Sequence, residues 1–192
     1  MRRFLRLDGG QSLIEFALVT PFILMLALGV VEASYLILDQ HVVTKLTREG
    51  SNLISRDTSI DDAVAAMKNM STRPVNFNGP SSKVIFSVIK RVGTVGASNY
   101  NNDVIYQRFE YGGLAKPSML HFSGGSFGGA PDYVANNSDS DTSLRVTNLP
   151  ANLTTLGGML YVTEIYTSHT LITPLNRLGI SMPDTLYSIA YF

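Results

Sequence analysis

Hydrophobic residues dominate one stretch near the amino terminus and alternate with polar residues elsewhere. Residues 16–38 are almost entirely apolar and carry one charge, Glu32. Roughly 20 apolar residues in a helix are enough to cross the hydrocarbon core of a membrane. The pattern therefore predicts a transmembrane helix with a bend at Pro21, because proline removes one backbone hydrogen bond. Thr20 is expected to compensate in part for the carbonyl that this leaves free.

Beyond residue 38 the helical spacing continues while polar residues appear. One apolar face is expected from Leu38, Val42, Leu46 and Leu53, with Val43 and Ile54 beside it. A single helix over residues 12–55 would be about 66 Å long, of which the membrane core accounts for about 30 Å. The remaining part of the helix must pack against a folded domain.

A second, shorter helix is predicted immediately after the first. Ser59 and Asp62 form a capping-box pattern, in which side chains at the helix start satisfy free backbone donors. The expected buried positions of this helix are Ile60, Val64 and Met67. Pro74 closes it.

The rest of the chain shows the patterns of β-strands. Residues 83–92 and 103–111 alternate, are rich in β-branched and aromatic residues, and are expected to pair antiparallel. Residues 159–172 form the clearest strand, which should end at Thr173, and residues 185–192 should supply a final edge strand. The predicted fold class is α+β, with a long amino-terminal transmembrane and amphipathic helix packed on a small antiparallel sheet.

Residues 112–143 are rich in Gly, Ser, Asn and Asp and predict a long, mobile or functional loop. Residues 124–128 satisfy G-x-S-x-G, but that motif needs a strand before it and a helix after it. The surrounding glycines favour a flexible surface loop over a serine hydrolase. Asp139 and Asp141 could offer oxygens to calcium, yet they lack the glycine and the distant glutamate of an EF-hand loop.

Composition narrows the class of function. The 192 residues include 15 basic and 15 acidic side chains, so no excess charge is available to neutralise nucleic-acid phosphates. The absence of cysteine excludes disulfides and thiolate metal sites. His41, His121 and His169 lack mutual ligand spacing and are expected at the surface or at helix ends. We therefore predict no catalytic, metal-binding or cofactor-binding residue, and no cofactor.

The residues before the apolar run set its orientation. Arg2, Arg3 and Arg6 precede the run and no comparable cluster follows it. By the positive-inside rule the amino terminus stays cytoplasmic and the chain after Leu38 lies outside. A cleaved secretory signal would end in a small-residue site, which is poor around Glu32, and a plain membrane anchor is the other alternative.

Two further features resemble a known family. The leader and its glycine, at residues 1–10, resemble a class III signal of type IV prepilins. Residues 10–21 resemble the opening of the TadE-like pseudopilins, minor subunits of the tight-adherence (Tad) branch of type IV pili. Residues 162–166, followed by Pro174 and Leu175, and residues 186–192 are similar to the terminal strands of that family, although the segment 167–172 before Pro174 is longer than the usual spacing.

The resemblance implies a domain order and a processing event. A prepilin peptidase would cut between Gly10 and Gln11, which leaves a transmembrane helix over residues 11–38. A periplasmic extension over 39–56 and a globular, pilin-like α+β domain over 57–192 would follow. The mature protein would sit in the inner membrane as a single-pass protein with a periplasmic carboxyl-terminal domain, or outside the cell in the pilus after assembly.

The resemblance also assigns a role to Glu15. Glu15 lies four residues after Gln11, so a helix places both on one face. In the pilin mechanism, Glu15 of an incoming subunit neutralises the terminal amine of a subunit already in the fibre. The implied partners are other pilin and pseudopilin subunits, the prepilin peptidase, the inner-membrane assembly platform and the lipid bilayer. The alternative function is a membrane-anchored periplasmic enzyme or ligand-binding domain.

Overall fold

The computed structural model describes the backbone of residues 8–192 and their side chains, except those of residues 8, 9 and 178. Most of the predicted leader, residues 1–7, lies outside the described residues. The chain forms two compact units. The first comprises residues up to Leu38 together with Thr170–Pro183, and the second comprises Asp39–His169 and Asp184–Phe192. The chain therefore leaves the second unit after residue 169 and returns to it at residue 184.

The first element is one long helix, α1, which spans Asp8–Ile54 and contains Pro21. A single long helix was predicted, and its bounds agree within a few residues. The Thr20 hydroxyl donates to the carbonyl of Phe16 at 2.7 Å. Pro21 leaves the carbonyl of Ala17 without its usual donor. The expectation that Thr20 compensates for the freed carbonyl is therefore wrong, because it bonds the carbonyl one residue earlier.

The second half of α1 packs on the sheet through a face that agrees with the predicted one at Val43, Leu46 and Ile54 and differs from it elsewhere. Its buried residues are Val43, Leu46, Thr47, Gly50, Ser51 and Ile54, whereas Leu38 is exposed and Val42 and Leu53 are half-buried. A Cβ atom at Gly50 would lie 2.9 Å from Cγ2 of Thr163 and 3.3 Å from the Phe86 ring. The missing side chain lets the helix backbone approach the sheet closely, and the helix is turned so that Gly50 faces the sheet.

The second helix, α2, spans Ile60–Met70 and begins as predicted. The backbone N–H of Asp62 donates to the Ser59 hydroxyl at 3.2 Å, and that hydroxyl donates to the Asp62 carboxylate at 2.7 Å. The buried residues are Ile60, Ala63, Val64 and Met67. The capping pair and the three expected core positions are confirmed.

A four-stranded antiparallel sheet forms the centre of the second unit. Its strands are β1 Ser82–Arg91, β2 Asp103–Tyr111, β3 Met159–Ser168 and β4 Thr185–Tyr191, in the spatial order β2-β1-β3-β4. The pairing of β1 with β2 has one irregularity, between Val88 and Ile89. The α+β class, the antiparallel pairing of β1 with β2 and the edge position of β4 are confirmed.

Strand β3 is shorter than predicted. It ends at Ser168, four residues before the predicted end at residue 172. The backbone N–H groups of Ile172 and Thr173 donate to the carboxylate of Glu32. Because these donors are bound to a side chain, they do not continue the strand ladder, and the segment joins the first unit.

The long loop after β2 contributes buried residues to the core of the second unit, while residues 124–131 lie at or near the surface. Leu120, Ala135 and Leu144 are buried in one cluster with residues of β1, β2 and β3: Ile89, Val104, Ile105, Leu160 and Val162. Gly125 has φ +156°, and a side chain there would clash with Leu144. The absence of a side chain at Gly125 allows the loop to pack closely against Leu144.

Candidate functional site

The first half of α1 exposes most of its large apolar side chains. Its exposed large residues are Leu13, Ile14, Phe16, Leu18, Val19, Phe22, Ile23, Leu24, Met25, Leu26, Val30, Val31, Tyr35, Ile37 and Leu38. Between Glu15 and Glu32 there is no charged residue. Within residues 8–192, α1 alone is long and apolar enough to cross a membrane, judged by length and composition. This half of the helix is suited to anchoring the chain in a membrane.

Glu15 lies at the start of this apolar run and is exposed. The side-chain amide of Gln11 donates to Oε1 of Glu15 at 3.0 Å. The two residues therefore share one helix face, one turn apart, as the spacing predicts. An exposed carboxylate at this position is available to a group from outside the chain.

The predicted cleavage position lies within α1. The helix begins at Asp8, so Gly10 and Gln11 are both helical. A Cβ atom at Gly10 would meet no other atom of the described chain within 4 Å. The fold of this chain therefore does not require glycine at position 10.

Glu32 is fully buried within the first unit. Its carboxylate accepts hydrogen bonds from the N–H of Thr173 at 2.8 Å, the hydroxyl of Thr173 at 2.6 Å and the N–H of Ile172 at 3.2 Å. A charge in an apolar setting is tolerated only when it is hydrogen-bonded or paired. The turn at residues 172–173 supplies those bonds.

The sequence patterns assigned no bonding partner to Glu32, so these bonds were not predicted. A lone carboxylate inside an apolar run was the available signal. The bonding residues are 140 and 141 positions away, and two of their donors are backbone groups. No spacing rule could have paired them.

His169 was expected at the surface or at a helix end, and this is wrong. Its side chain is 1 % exposed, and its Nδ1 lies 3.0 Å from a carboxylate oxygen of Asp39. The backbone N–H of His169 donates to the carbonyl of Asp184 at 2.8 Å. All three residues belong to the second unit, at the points where the chain crosses between units. These contacts hold together, within the second unit, the three points at which the chain enters or leaves that unit.

A second buried carboxylate, Glu164, lies in β3. It accepts hydrogen bonds from the Ser118 hydroxyl, from the N–H of Met119 at 2.8 Å and from the Tyr166 hydroxyl at 3.0 Å. Burial, together with the nearby charge of Glu164, raises the pKa of the Tyr166 and Tyr187 hydroxyls well above the ordinary value. The group ties the covering loop to the sheet.

The residues considered for a serine hydrolase or a calcium site make hydrogen bonds within the chain. Ser126 lies in the loop without the strand and helix of a nucleophile elbow, and its hydroxyl accepts a hydrogen bond from Asn136 at 3.0 Å.

Asp139, one of the two candidate calcium ligands, accepts hydrogen bonds from Lys90 at 2.9 Å and from Thr94 at 2.8 Å. The Lys90 bond lowers the pKa of Asp139. Asp141 accepts from the backbone and side chain of Ser143. These carboxylates are used within the chain.

A groove in the second unit lies along α1. It is lined by His41, Val42, Lys45, Leu46, Glu49, Met70 and Thr72. In the part of the chain that the structure describes, no group of three or more His, Asp or Glu side chains is placed to hold a metal ion.

Comparison with known families bears on the helix. A family model described as TadE-like protein matches residues 10–52. The amino-terminal segment of this chain is TadE-like. The match covers the exposed apolar half of α1, Glu15 and most of the packed half. No curated protein and no solved structure matches the chain.

The TadE-like match confirms the resemblance of residues 10–21 to the opening of the TadE-like family. The match ends at residue 52. The similarity of residues 162–166, 174–175 and 186–192 to the terminal strands of the family therefore stays a prediction. The match coincides with the exposed apolar half of α1, which is suited to anchoring the chain in a membrane.

Proposed function

We propose that the protein is a minor pilin or pseudopilin that takes part in the assembly, initiation or tip decoration of a Tad (Flp) pilus used for surface adhesion. The observation that carries the proposal is the TadE-like match over residues 10–52. It coincides with an exposed apolar helix that begins at an exposed carboxylate, Glu15. The proposed role is structural and needs no catalytic group.

Maturation is the first step of this proposal. A prepilin peptidase removes residues 1–10 by cutting between Gly10 and Gln11, which leaves Gln11 with a free amino group. Because Gly10 has open space around it in the fold, a bulky residue there should block cleavage by affecting the peptidase and not the folding of the chain. Gly10→Leu should therefore leave the membrane-bound protein at its uncut mass.

Assembly depends on Glu15. The free amine of Gln11 is a positive charge at the edge of hydrocarbon, where opposite charges attract more strongly than in water. Each charge is costly when it is left alone in such surroundings. Glu15 of an incoming subunit neutralises the amine of a neighbouring subunit, and the apolar faces of the two helices then pack together.

The proposed location follows from the same helix. Before assembly the protein spans the inner membrane once, with the globular unit in the periplasm, and contacts the assembly platform there. After assembly it is carried into the pilus outside the cell. The three arginines at positions 2, 3 and 6 support this orientation through the positive-inside rule.

The test is substitution of Glu15 followed by shearing of pili. Glu15→Gln keeps the size and removes the charge, and Glu49→Gln is the matched control, since Glu49 is exposed on the packed half of α1. Removing one partner of a desolvated ion pair costs about 3–5 kcal/mol, which corresponds to a loss of at least about 100-fold in the sheared fraction. Membrane levels should not change. Normal recovery of the Glu15→Gln protein in sheared pili would remove the proposed role.

A further inference from the structure

The segment Thr170–Pro183 belongs to the first unit with the apolar half of α1. It contains one charged residue, Arg177, which is exposed. A short 3-10 helix, Pro174–Leu178, lies at its centre and ends at Gly179 with φ 78°. Leu175 is fully buried, while Ile172 and Ile180 are 50 % and 36 % exposed. The segment is thus an ordered apolar turn that leaves isoleucine side chains uncovered.

This turn is hydrogen-bonded to α1 at a position that can be compared with the thickness of a membrane. Its residues Ile172 and Thr173 hold the carboxylate of Glu32. Glu32 lies 17 positions after Glu15, which corresponds to about 26 Å along a helix. The hydrocarbon core is about 30 Å thick. With Glu15 at one boundary of the core, Glu32 lies about one turn inside the opposite boundary, and the turn lies there with it.

We infer that residues 170–183 form a membrane-interface element that contacts lipid directly. Ile172 and Ile180 insert among the outer ends of the acyl chains, and Arg177 lies at the level of the lipid phosphates. The inference rests on α1 as a membrane span and goes beyond the pilus role. Apolar side chains flanked by a basic residue are the composition of interfacial segments that bind anionic lipid.

The hydrogen bonds at Glu32 position this element. A carboxylate inside the hydrocarbon boundary needs donors, and the turn supplies two backbone N–H groups and one hydroxyl. These bonds hold the turn against α1 at the boundary. Thr173 is therefore a positioning residue for the lipid contact, whereas Thr170, which is exposed in the same segment, is not.

The absence of cysteine makes a direct test possible. Single cysteines at positions 172 and 180 are labelled with an environment-sensitive fluorophore in the full chain. The protein is reconstituted, at about one copy per vesicle, in phosphatidylethanolamine and phosphatidylglycerol in equal parts. Phe22→Cys gives the deep reference and Val95→Cys the aqueous reference, since both side chains are exposed on their own units. Quenching is measured with nitroxides placed near the headgroup, near the chain end, or in water.

Labels at 172 and 180 should be quenched most strongly by the headgroup-level nitroxide, and the label at 22 by the chain-end nitroxide. Thr173→Val should increase aqueous quenching at 180, while Thr170→Val should not. Labels at 172 and 180 that match position 95 would overturn the inference while the label at 22 still reports a span. Shielding of both labels from water without quenching by lipid would point to a protein partner and would also overturn it. A water-exposed label at 22 would contradict the membrane span itself.

Discussion

The two halves of α1 are one continuous helix in two different surroundings. Before residue 39, its large apolar side chains are exposed, as shown by Leu24 at 58 %, whereas in the second half Leu46 is 7 % exposed. The second half is covered by the sheet of its own chain. The turn at residues 172–173 covers the first half around Glu32, whereas the large apolar side chains before it remain open to lipid or to other proteins. A single helix can therefore pack against its own chain along one half and expose apolar side chains to an external partner along the other.

The carboxylates follow the same division. Glu32 and Glu164 are both fully buried, and each is held by three donor groups of its own chain. Glu15 is exposed and accepts a hydrogen bond from Gln11. Hydrogen bonds from their own chain explain why the first two carboxylates can be buried. Glu15 is the carboxylate best placed for a group from another subunit.

The largest expected effect on the free energy of unfolding comes from comparing a leucine-to-alanine substitution in one half of α1 with the same substitution in the other half. Leu46→Ala should lower the free energy of unfolding of the globular unit by about 3 kcal/mol, because it removes a buried side chain. Leu24→Ala should change that free energy by less than about 0.5 kcal/mol. Urea unfolding in detergent, followed by tyrosine fluorescence, measures both, since the chain has no tryptophan. Equal effects of the two substitutions would break the comparison.

A glycine pair in the same helix gives a smaller effect. A Cβ atom at Gly50 would lie 2.9 Å from Thr163, whereas one at Gly29 would meet nothing within 4 Å. Gly50→Val should destabilise the globular unit by about 2 kcal/mol through overpacking. Gly29→Val is the control and should leave the same unfolding curve unchanged. A tolerated valine at position 50 would show that the close approach of α1 to the sheet is incorrect.

The contact at Glu32 is tested within the first unit. Thr173→Val removes a hydrogen bond to a charged group, which is worth about 1.5 kcal/mol at the lower end of its range. Hydrogen exchange at the amides of residues 172 and 173 should then be roughly tenfold faster. Thr170→Val, in the same segment, should not change the exchange rates. Unchanged exchange in the Thr173→Val protein would mean that the hydroxyl does not hold the turn.

The smallest effect concerns alkaline pH and the globular unit. Burial and Glu164 raise the pKa of Tyr187 above its ordinary value of 10.0. Above pH 10 the unfolded chain therefore releases this proton while the folded chain retains it, so stability is full below pH 10 and falls as pH rises. Tyr187→Phe should make the fall shallower in urea unfolding measured at several pH values. An identical pH dependence would argue against burial of this hydroxyl.

Much of the fold followed from local patterns. The uninterrupted helical period predicted α1, the pairing of Ser59 with Asp62 predicted the start of α2, and alternation predicted β1 and β2 as antiparallel neighbours. These features depend on residues that are close in the sequence. Local propensity and hydrophobic period are sufficient to define such elements.

The errors arose where distant residues decide the structure. Glu32 is bonded by backbone groups 140 residues away, and this ends β3 earlier than its composition suggests. Composition alone does not reveal that Leu120 and Ala135 of the glycine-rich loop are buried in the core. The predicted face of α1 included Leu38, which is exposed, and missed Gly50, which lacks a side chain and lies close to the sheet. Such contacts require the tertiary structure.

The most direct test of the central claim is the mass and amino-terminal sequence of the native protein from membranes and from sheared pili. The cells must contain an active prepilin peptidase. The account predicts a chain that begins at Gln11 in both fractions, so that Glu15 lies one helical turn from a new amine. A protein that still carries Arg2, Arg3 and Arg6 in those cells would contradict it.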